Sequence, residues 1–291
     1  MAGFADASHQ VALEEAHFVR RQARERSAGN TSDSSTSSSE APALGNASAP
    51  LSSALLAPLL PQPLPAGESG NAFVSFVPYQ VLSWEPRAVF FPGFLDKERC
   101  EHIIALASKH LAPSGLALRK GESAENTGDI RTSQGTFLSR RDDGAGVLDY
   151  LEKRIADATM LPQRHGEPFN VLRYEQGQKY DSHYDTFDPE SYGPQPSQRV
   201  ASFLVYLSDW DSGGETVFPL EGPNGLKRLV GIDYRSCAQG LKVKPLKAGD
   251  ALLFYSVSPE GTFDKHALHG GCPVTTGTKW VATKWIRDKS F

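Results

Sequence analysis

The apolar positions of the chain follow two rhythms. In DKERCEHIIALASKHL, residues 96–111, Cys100, Ile103, Ile104, Ala107 and Leu111 recur at helical spacing along one face. Asp96 stands where an N-cap belongs. A second helix is predicted over 143–160, with Val147, Leu148, Leu151 and Ile155 as its stripe. Cys100 lies in the first stripe and reads as a packing residue. Ahead of both helices, QVLSWEPRAVFFPGFL reads as a strand closed by a Pro-Gly turn. After Pro168 the rhythm shortens. FNVLRYEQG, RVASFLVYLSDWDSGG, TVFPLEG, LKVKPLKAGD, ALLFYSVSPEG, HALHGGCPV and KWVATKWI alternate with turn residues. Short apolar runs punctuated in this way predict an all-β sandwich or barrel, with the two helices over one outer face. No internal repeat is visible. The stretches 119–136 and 221–240 lack periodicity and are expected to be mobile loops.

The start of the chain has neither rhythm. Residues 8–26 have the composition of a short charged helix with few apolar positions. From Ser27 to Pro50, 19 of 24 residues are Ser, Thr, Ala, Pro or Gly. Such a composition buries too little apolar surface to offset the entropy of ordering. Residues 1–75 are therefore expected to form a disordered tail and linker. Residues 76–165 are expected to supply N-terminal strands and supporting helices, and 166–291 the β core. Asn30-Thr31-Ser32 and Asn46-Ala47-Ser48 fit the glycosylation pattern, as short Ser-rich stretches do by chance.

Composition narrows the class. Of 291 residues, 39% are hydrophobic and 22% charged, as in soluble globular proteins. A net charge of −4 gives no support to a nucleic-acid groove. The longest apolar stretch, LSSALLAPLLPQPLP, is broken by prolines, so no membrane span is expected. The start MAGFADASHQ lacks the basic end and apolar core of a secretory signal. Cys100, Cys237 and Cys272 form no CxxC pair, which disfavours a zinc ribbon. One disulfide with a free thiol, or three thiols, are both compatible, and the redox compartment stays open.

The chemistry concentrates in KYDSHYDTFD, residues 179–188. In an extended segment His183 and Asp185 point to the same face. A third ligand would come from a distant strand, from His266 or His269. Two imidazoles and one carboxylate on one side of a metal form the facial triad of non-haem Fe(II) oxygenases. An HxD triplet alone is a weak signal, and Lys279 alone would read as a solvated strand residue. Their occurrence together, in a strand-rich stretch, is far more specific.

From about Phe91 to Phe291 the chain resembles the 2-oxoglutarate-dependent prolyl 4-hydroxylases, particularly the single-chain plant and algal type. The resemblance rests on IRTSQGTFLSR, VLRYEQGQKYDSHYD, RVASFLVYLSDWDSGGETVFP, GLKVKPLKAGDALLFYS, LHGGCPV and GTKWVATKWIR, in that order. It implies a mostly β fold, a double-stranded β-helix or jelly-roll core with flanking helices. It implies that His183, Asp185 and His269 bind Fe(II). His266, which would face the opposite way in a strand, is the competing candidate; the Leu-His-Gly context and the spacing to Lys279 favour His269. Lys279 is expected to bind the far carboxylate of 2-oxoglutarate, because a dianion entering a dry core needs a buried cation. Tyr174 and Thr216 resemble positions that help to hold that carboxylate.

Tyr180, Arg199, Trp285 and Arg287 match positions that grip the peptide substrate. If 279–287 is extended, Lys279, Val281, Thr283, Trp285 and Arg287 share the cavity face, with Trp280 and Lys284 behind it. Arg287 departs from the family, where many members have His; it can donate hydrogen bonds but cannot act as a neutral imidazole. This departure bears on substrate preference. Tyr180, Tyr184, Trp210 and Trp285 are candidates for an aromatic groove suited to polyproline II. Arg119, Lys120 and Arg131 are candidate contacts for an acidic or backbone-rich ligand, or else solvated loop charges. Cys237 and Cys272 resemble paired cysteines in part of the family, although separate thiols remain compatible.

The implied activity is hydroxylation of peptidyl proline at C4 in a proline-rich peptide or protein. Fe(II), 2-oxoglutarate, O₂ and ascorbate would serve it, and succinate and CO₂ would be released. Family members usually work in the endoplasmic reticulum and secretory pathway. Two alternatives stand beside it: an oxygenase acting on a lysine, a nucleobase or a small molecule, and a jelly-roll binding module without turnover.

Overall fold

The computed structural model describes residues 62–291. The expected helix at 8–26, the Ser/Ala/Pro-rich stretch and both glycosylation sequences lie outside the described residues. In chain order the strands are β1 (Gln80–Trp84), β2 (Arg87–Phe91), β3 (Ala112–Pro113), β4 (Gln134–Leu138), β5 (Phe169–Tyr174), β6 (Tyr180–His183) and β7 (Arg199–Tyr206). They continue with β8 (Ser212–Gly213), β9 (Thr216–Phe218), β10 (Leu241–Val243), β11 (Ala251–Tyr255), β12 (His269–Gly271), β13 (Val274–Thr276) and β14 (Lys279–Arg287). The helices are α1 (Lys97–Ala107), α2 (Val147–Thr159) and the single turn α3 (Pro189–Tyr192).

A large sheet runs β1-β2-β11-β7-β14-β5-β4-β3 and a small one β10-β9-β12-β6, with β8 and β13 as a separate ribbon. Neighbouring strands are antiparallel throughout both sheets. The large sheet is buried on both faces, which explains the unbroken apolar runs ASFLVY and ALLFY. Ala201, Phe203, Val205, Ala251 and Leu253 face the helices, beside Ile103, Leu148, Leu151 and Ile155. The alternate residues Leu204, Tyr206, Leu252 and Phe254 face the small sheet, beside Phe218 and Val243. Two sheets and a helical cover make the expected jelly roll.

The helices are shorter than their patterns. Asp96 caps α1 by accepting from the Arg99 N–H at 2.9 Å. The helix stops at Ala107, so Leu111 is not part of its stripe. The following Ala112-Pro113 pair is β3, and a residue before proline avoids helical backbone. The second helix begins at Val147, not Asp143, because Asp143 is spent on the turn ahead of it, accepting from Ala145 N and Leu148 N. Cys100 is fully buried under α1 as a packing residue.

The loop candidates are more firmly held than their composition suggests. Cys237 and Cys272 form a disulfide, which fastens 221–240 to the segment after β12. The Ser182 N–H also donates to Tyr234 O at 2.7 Å, and Arg228 donates to Pro219 O and Glu221 O. In 119–136, the last residues belong to β4, and Asp181 N donates to Ile130 O at 2.9 Å. Among the described residues no helix is long and apolar enough to cross a membrane.

Candidate metal and co-substrate site

Strands β6 and β12 pair so that His183 faces His269 directly. This approach depends on Gly270. A Cβ there would lie 2.9 Å from Ser182 Oγ and 3.1 Å from Tyr180 O, so a larger residue would push the strands apart. Asp185 follows two residues after His183, just beyond the end of β6. Its Oδ1 lies 3.7 Å from His183 Nε2, and its Oδ2 lies 3.5 Å from His269 Nε2. One ligand atom from each of the three residues lies within 4.8 Å of the others.

The rings are oriented for metal. His183 Nδ1 is 2.9 Å from Asp181 O, and His269 Nδ1 is 3.0 Å from Ala267 O. A carbonyl can only accept, so each Nδ1 carries the proton and each Nε2 offers its lone pair to the shared point. Ser202 Oγ donates to Asp185, and the Tyr180 ring stacks on His183 at 3.7 Å. Burial lowers the His269 pKa to about 4, despite the opposing pull of Asp185, so this imidazole is neutral at pH 7. Burial alone would raise Asp185, but His269, His183 and Arg199 outweigh it and hold its carboxyl below the ordinary range. Two imidazoles and a carboxylate are a donor set suited to Fe(II).

His266 does not join them. It sits in the 3₁₀ turn Lys265–Ala267, not in a strand, and its Nδ1 faces Asp264 at 3.3 Å.

Behind the triad lies a cavity of about 50 Å³, lined by Tyr174, Thr216, Lys279, Val281, Thr283 and Trp285 among others. Lys279 pairs with Tyr174 across β14 and β5. It is 3% exposed, and its ammonium donates to Gly214 O at 2.7 Å. No carboxylate within the described residues bridges to it. Burial lowers its pKa to about 8, with Glu215 opposing. A buried cation without an anion is costly, and an anionic ligand in this cavity would relieve that cost. The sequence did not point to Tyr206. Its hydroxyl lies 2.9 Å from Thr216 Oγ1, and its place on the inward face of β7 is the signal that could have found it.

In front of the triad opens a groove of about 930 Å³. Tyr180, Tyr184, Arg199 and Trp285 line it as expected, together with Arg119, Arg131, Phe137, Phe187, Tyr192 and Tyr234. Three predicted residues do not line it, and the first, Lys120, is exposed to solvent. Trp210 is buried near the Lys279 ammonium, 5.4 Å away, with its Nε1–H donating to Gly213 O. Arg287 keeps the face of Trp285, opposite Arg199, because the extra residue at the register shift is Val200 of β7; it lies beyond the lining of the groove. Its Nε donates to Glu167 Oε1 at 2.7 Å and its Nη1 to Ser197 O at 2.8 Å. Glu167 also receives Arg199 in a fork, at 2.7 and 2.8 Å. Nothing in the hydrophobic pattern marks Glu167; only the folded arrangement brings it between two arginines.

Residues 169–287 match the 2OG-Fe(II) oxygenase superfamily. Probable prolyl 4-hydroxylase 9 of Arabidopsis thaliana is 60% identical over 226 residues, covering 78% of this chain and 77% of that protein. Prolyl 4-hydroxylase 13 of the same plant is 51% identical over 218 residues, covering 75% and 77%. The crystal structure of a viral collagen prolyl hydroxylase from Paramecium Bursaria Chlorella virus-1, in complex with 2OG, is 29% identical with a TM-score of 0.50, covering 69% of this chain and 95% of that one. A jelly roll, a buried His-Asp-His cluster and relatives of this identity and coverage lead to one conclusion: the chain belongs to the prolyl 4-hydroxylase family of 2OG-Fe(II) oxygenases.

Proposed function

We propose that this protein hydroxylates peptidyl proline at C4 in proline-rich segments, consuming 2-oxoglutarate and O₂ and releasing succinate and CO₂. One observation carries the reading: the triad stands between a small cavity, ending in a buried lysine with no carboxylate partner among the described residues, and an open aromatic groove. The names of the relatives support the same residue, proline, and those of the two prolyl 4-hydroxylases support position 4.

His183, Asp185 and His269 would hold Fe(II), and Lys279 would take the far carboxylate of 2-oxoglutarate with help from Tyr174 and Thr216. When bound, iron with its co-substrates supplies the oxidising power that turns C–H into C–OH. The chain contributes placement. Leu204 and Val281 line the small cavity and help to keep water out. Tyr180, Arg199 and Trp285 would receive the peptide. A polyproline II segment has no internal hydrogen bonds, so its carbonyls are free for guanidinium donors and its rings lie against aromatic faces. Holding C4 in one position accounts for much of the rate such an enzyme needs.

Ascorbate is proposed to sustain turnover, as is usual in the family. The secretory pathway is proposed as the compartment; the Cys237–Cys272 disulfide supports an oxidising environment. A fluorescent fusion whose signal stays in the cytosol would refute that placement.

The activity is tested by incubating proline-rich, collagen-like and lysine-containing peptides with enzyme, Fe(II), 2-oxoglutarate and ascorbate. Mass spectrometry should find one added oxygen on proline. Oxygen on lysine alone, or no peptide-stimulated release of CO₂, would overturn the reading.

A further inference from the structure

Arg199 and Arg287 are direct cross-strand partners on β7 and β14. Two guanidiniums so placed repel each other, and the buried carboxylate of Glu167 between them offsets the repulsion. Glu167 Oε1 accepts from both arginines, and Oε2 accepts a second bond from Arg199. The backbone N–H of Glu167 donates to Trp285 O at 2.9 Å, which ties the carboxylate to the strand carrying the groove tryptophan. Arg199 is thereby held flat over Trp285 at 3.6 Å, on the groove wall. Arg287 does not line the groove; Ser197 and Glu167 use its donors.

The charges of this clamp do not cancel. Two arginines share one carboxylate, which leaves one positive charge behind the part of the groove formed by Arg199 and Trp285. The neighbouring acid, Asp288, accepts from Gln198 N, and Lys289 beyond it adds to the same sign. Elsewhere on the groove wall, Glu122 pairs with Arg119, Asp181 with Lys179 and Arg235, and Asp185 belongs to the triad, while Arg131 donates to Ser133 Oγ and Gly115 O and has no carboxylate bridge within the described residues. A neutral imidazole at position 287 would leave Glu167 and Arg199 balanced.

From this geometry we infer that Arg287 is a specificity-determining positioning residue: acting through Glu167, it fixes Arg199 and leaves the Arg199–Trp285 stretch of the groove wall positive, so that peptides with a carboxylate beside the target proline are preferred. The inference rests on the proposed prolyl hydroxylase activity. Partly buried charges interact over several ångströms with little screening, so one charge is worth a factor of about five in selectivity.

The test uses matched proline-rich peptides with Glu, Gln or Lys next to the target proline, each assayed at low salt for kcat and KM. The wild-type protein should favour Glu over Gln about fivefold in kcat/KM, mostly through KM, and should disfavour Lys. In Arg287→Gln, and in Arg287→His assayed at pH 8, the ratio should fall to about one. Arg287→Lys keeps the charge but not the simultaneous bonds to Glu167 and Ser197, so it should keep the preference while KM rises for all three peptides. Such ratios do not depend on the fraction of enzyme that folds. A wild-type ratio near one, or an unchanged ratio in Arg287→Gln, overturns the inference while leaving the proline activity standing. Failure to hydroxylate any of the peptides overturns both.

Discussion

His183 and His269 face each other across β6 and β12, in register, although they are far apart in the chain. A slip of one residue would send one ring to the opposite face. The bare backbone of Gly270 lets the strands approach closely enough for the pair to form. Gly270→Val should therefore abolish stoichiometric Fe(II) binding while circular dichroism remains that of a jelly roll. His269→Ala should weaken iron by more than about 100-fold, exceeding the usual cost of losing an outer-shell partner. Anaerobic metal titration reads both; tight iron binding by either variant would refute the site.

Lys279 gives a pH signature. In the free protein its pKa is lowered to about 8 by burial. Only the ammonium form attracts a carboxylate. Below pH 8 the cation is already present, and above it binding must take up a proton. The apparent Kd for 2-oxoglutarate should therefore rise about tenfold per pH unit above 8. Lys279→Arg should remove this dependence, since guanidinium stays charged. Calorimetry at pH 7, 8, 9 and 10 checks it, and a flat wild-type profile would count against the assignment.

Lys284, on the helix side of β14, pairs with Glu152 of α2 at 2.5 Å. Glu152 has other partners in Gln163 at 3.0 Å and Arg140 at 3.3 Å, whereas Lys284 has no second acid partner within the described residues. Removing the acid strands the cation. Glu152→Leu should cost about 3–5 kcal/mol. Lys284→Met should cost less, and the double variant should recover most of the loss. Urea melts decide this; equal losses from both single variants would contradict it.

The disulfide closes a sequence separation of 35 residues, so replacing Cys237 and Cys272 by Ala should lower stability by about 2–4 kcal/mol. It should also raise the KM for peptide more than that for 2-oxoglutarate. Tyr234, on the released loop, lines the groove but not the small cavity. Equal changes in the two constants would separate the loop from peptide binding.

Much of this was legible in the chain. Strand alternation placed Lys279, Val281, Thr283 and Trp285 on one cavity face, and the HxD spacing found two ligands. The choice of His269 over His266 needed family context, because the turn that removes His266 has no hydrophobic signature. Alternation also gave Arg287 its face, but periodicity cannot say where the groove ends, and Arg287 lies past its lining with Glu167 and Ser197. Glu167 was invisible because its role depends on two arginines from strands that meet only in the folded sheet. Trp210 was misplaced because an aromatic residue suits a groove and a core equally well, and the polarity of its neighbours does not distinguish them.

The wide groove and the small cavity share Arg131, Tyr180, His183, Asp185 and Trp285 on their walls. A peptide laid across the groove therefore stands in the doorway of the inner chamber. Under the proposed activity, traffic through that doorway would have an order: the small acid would enter first and its remnant leave last. A peptide that arrives out of turn becomes a plug, and an excess of good substrate should slow its own conversion.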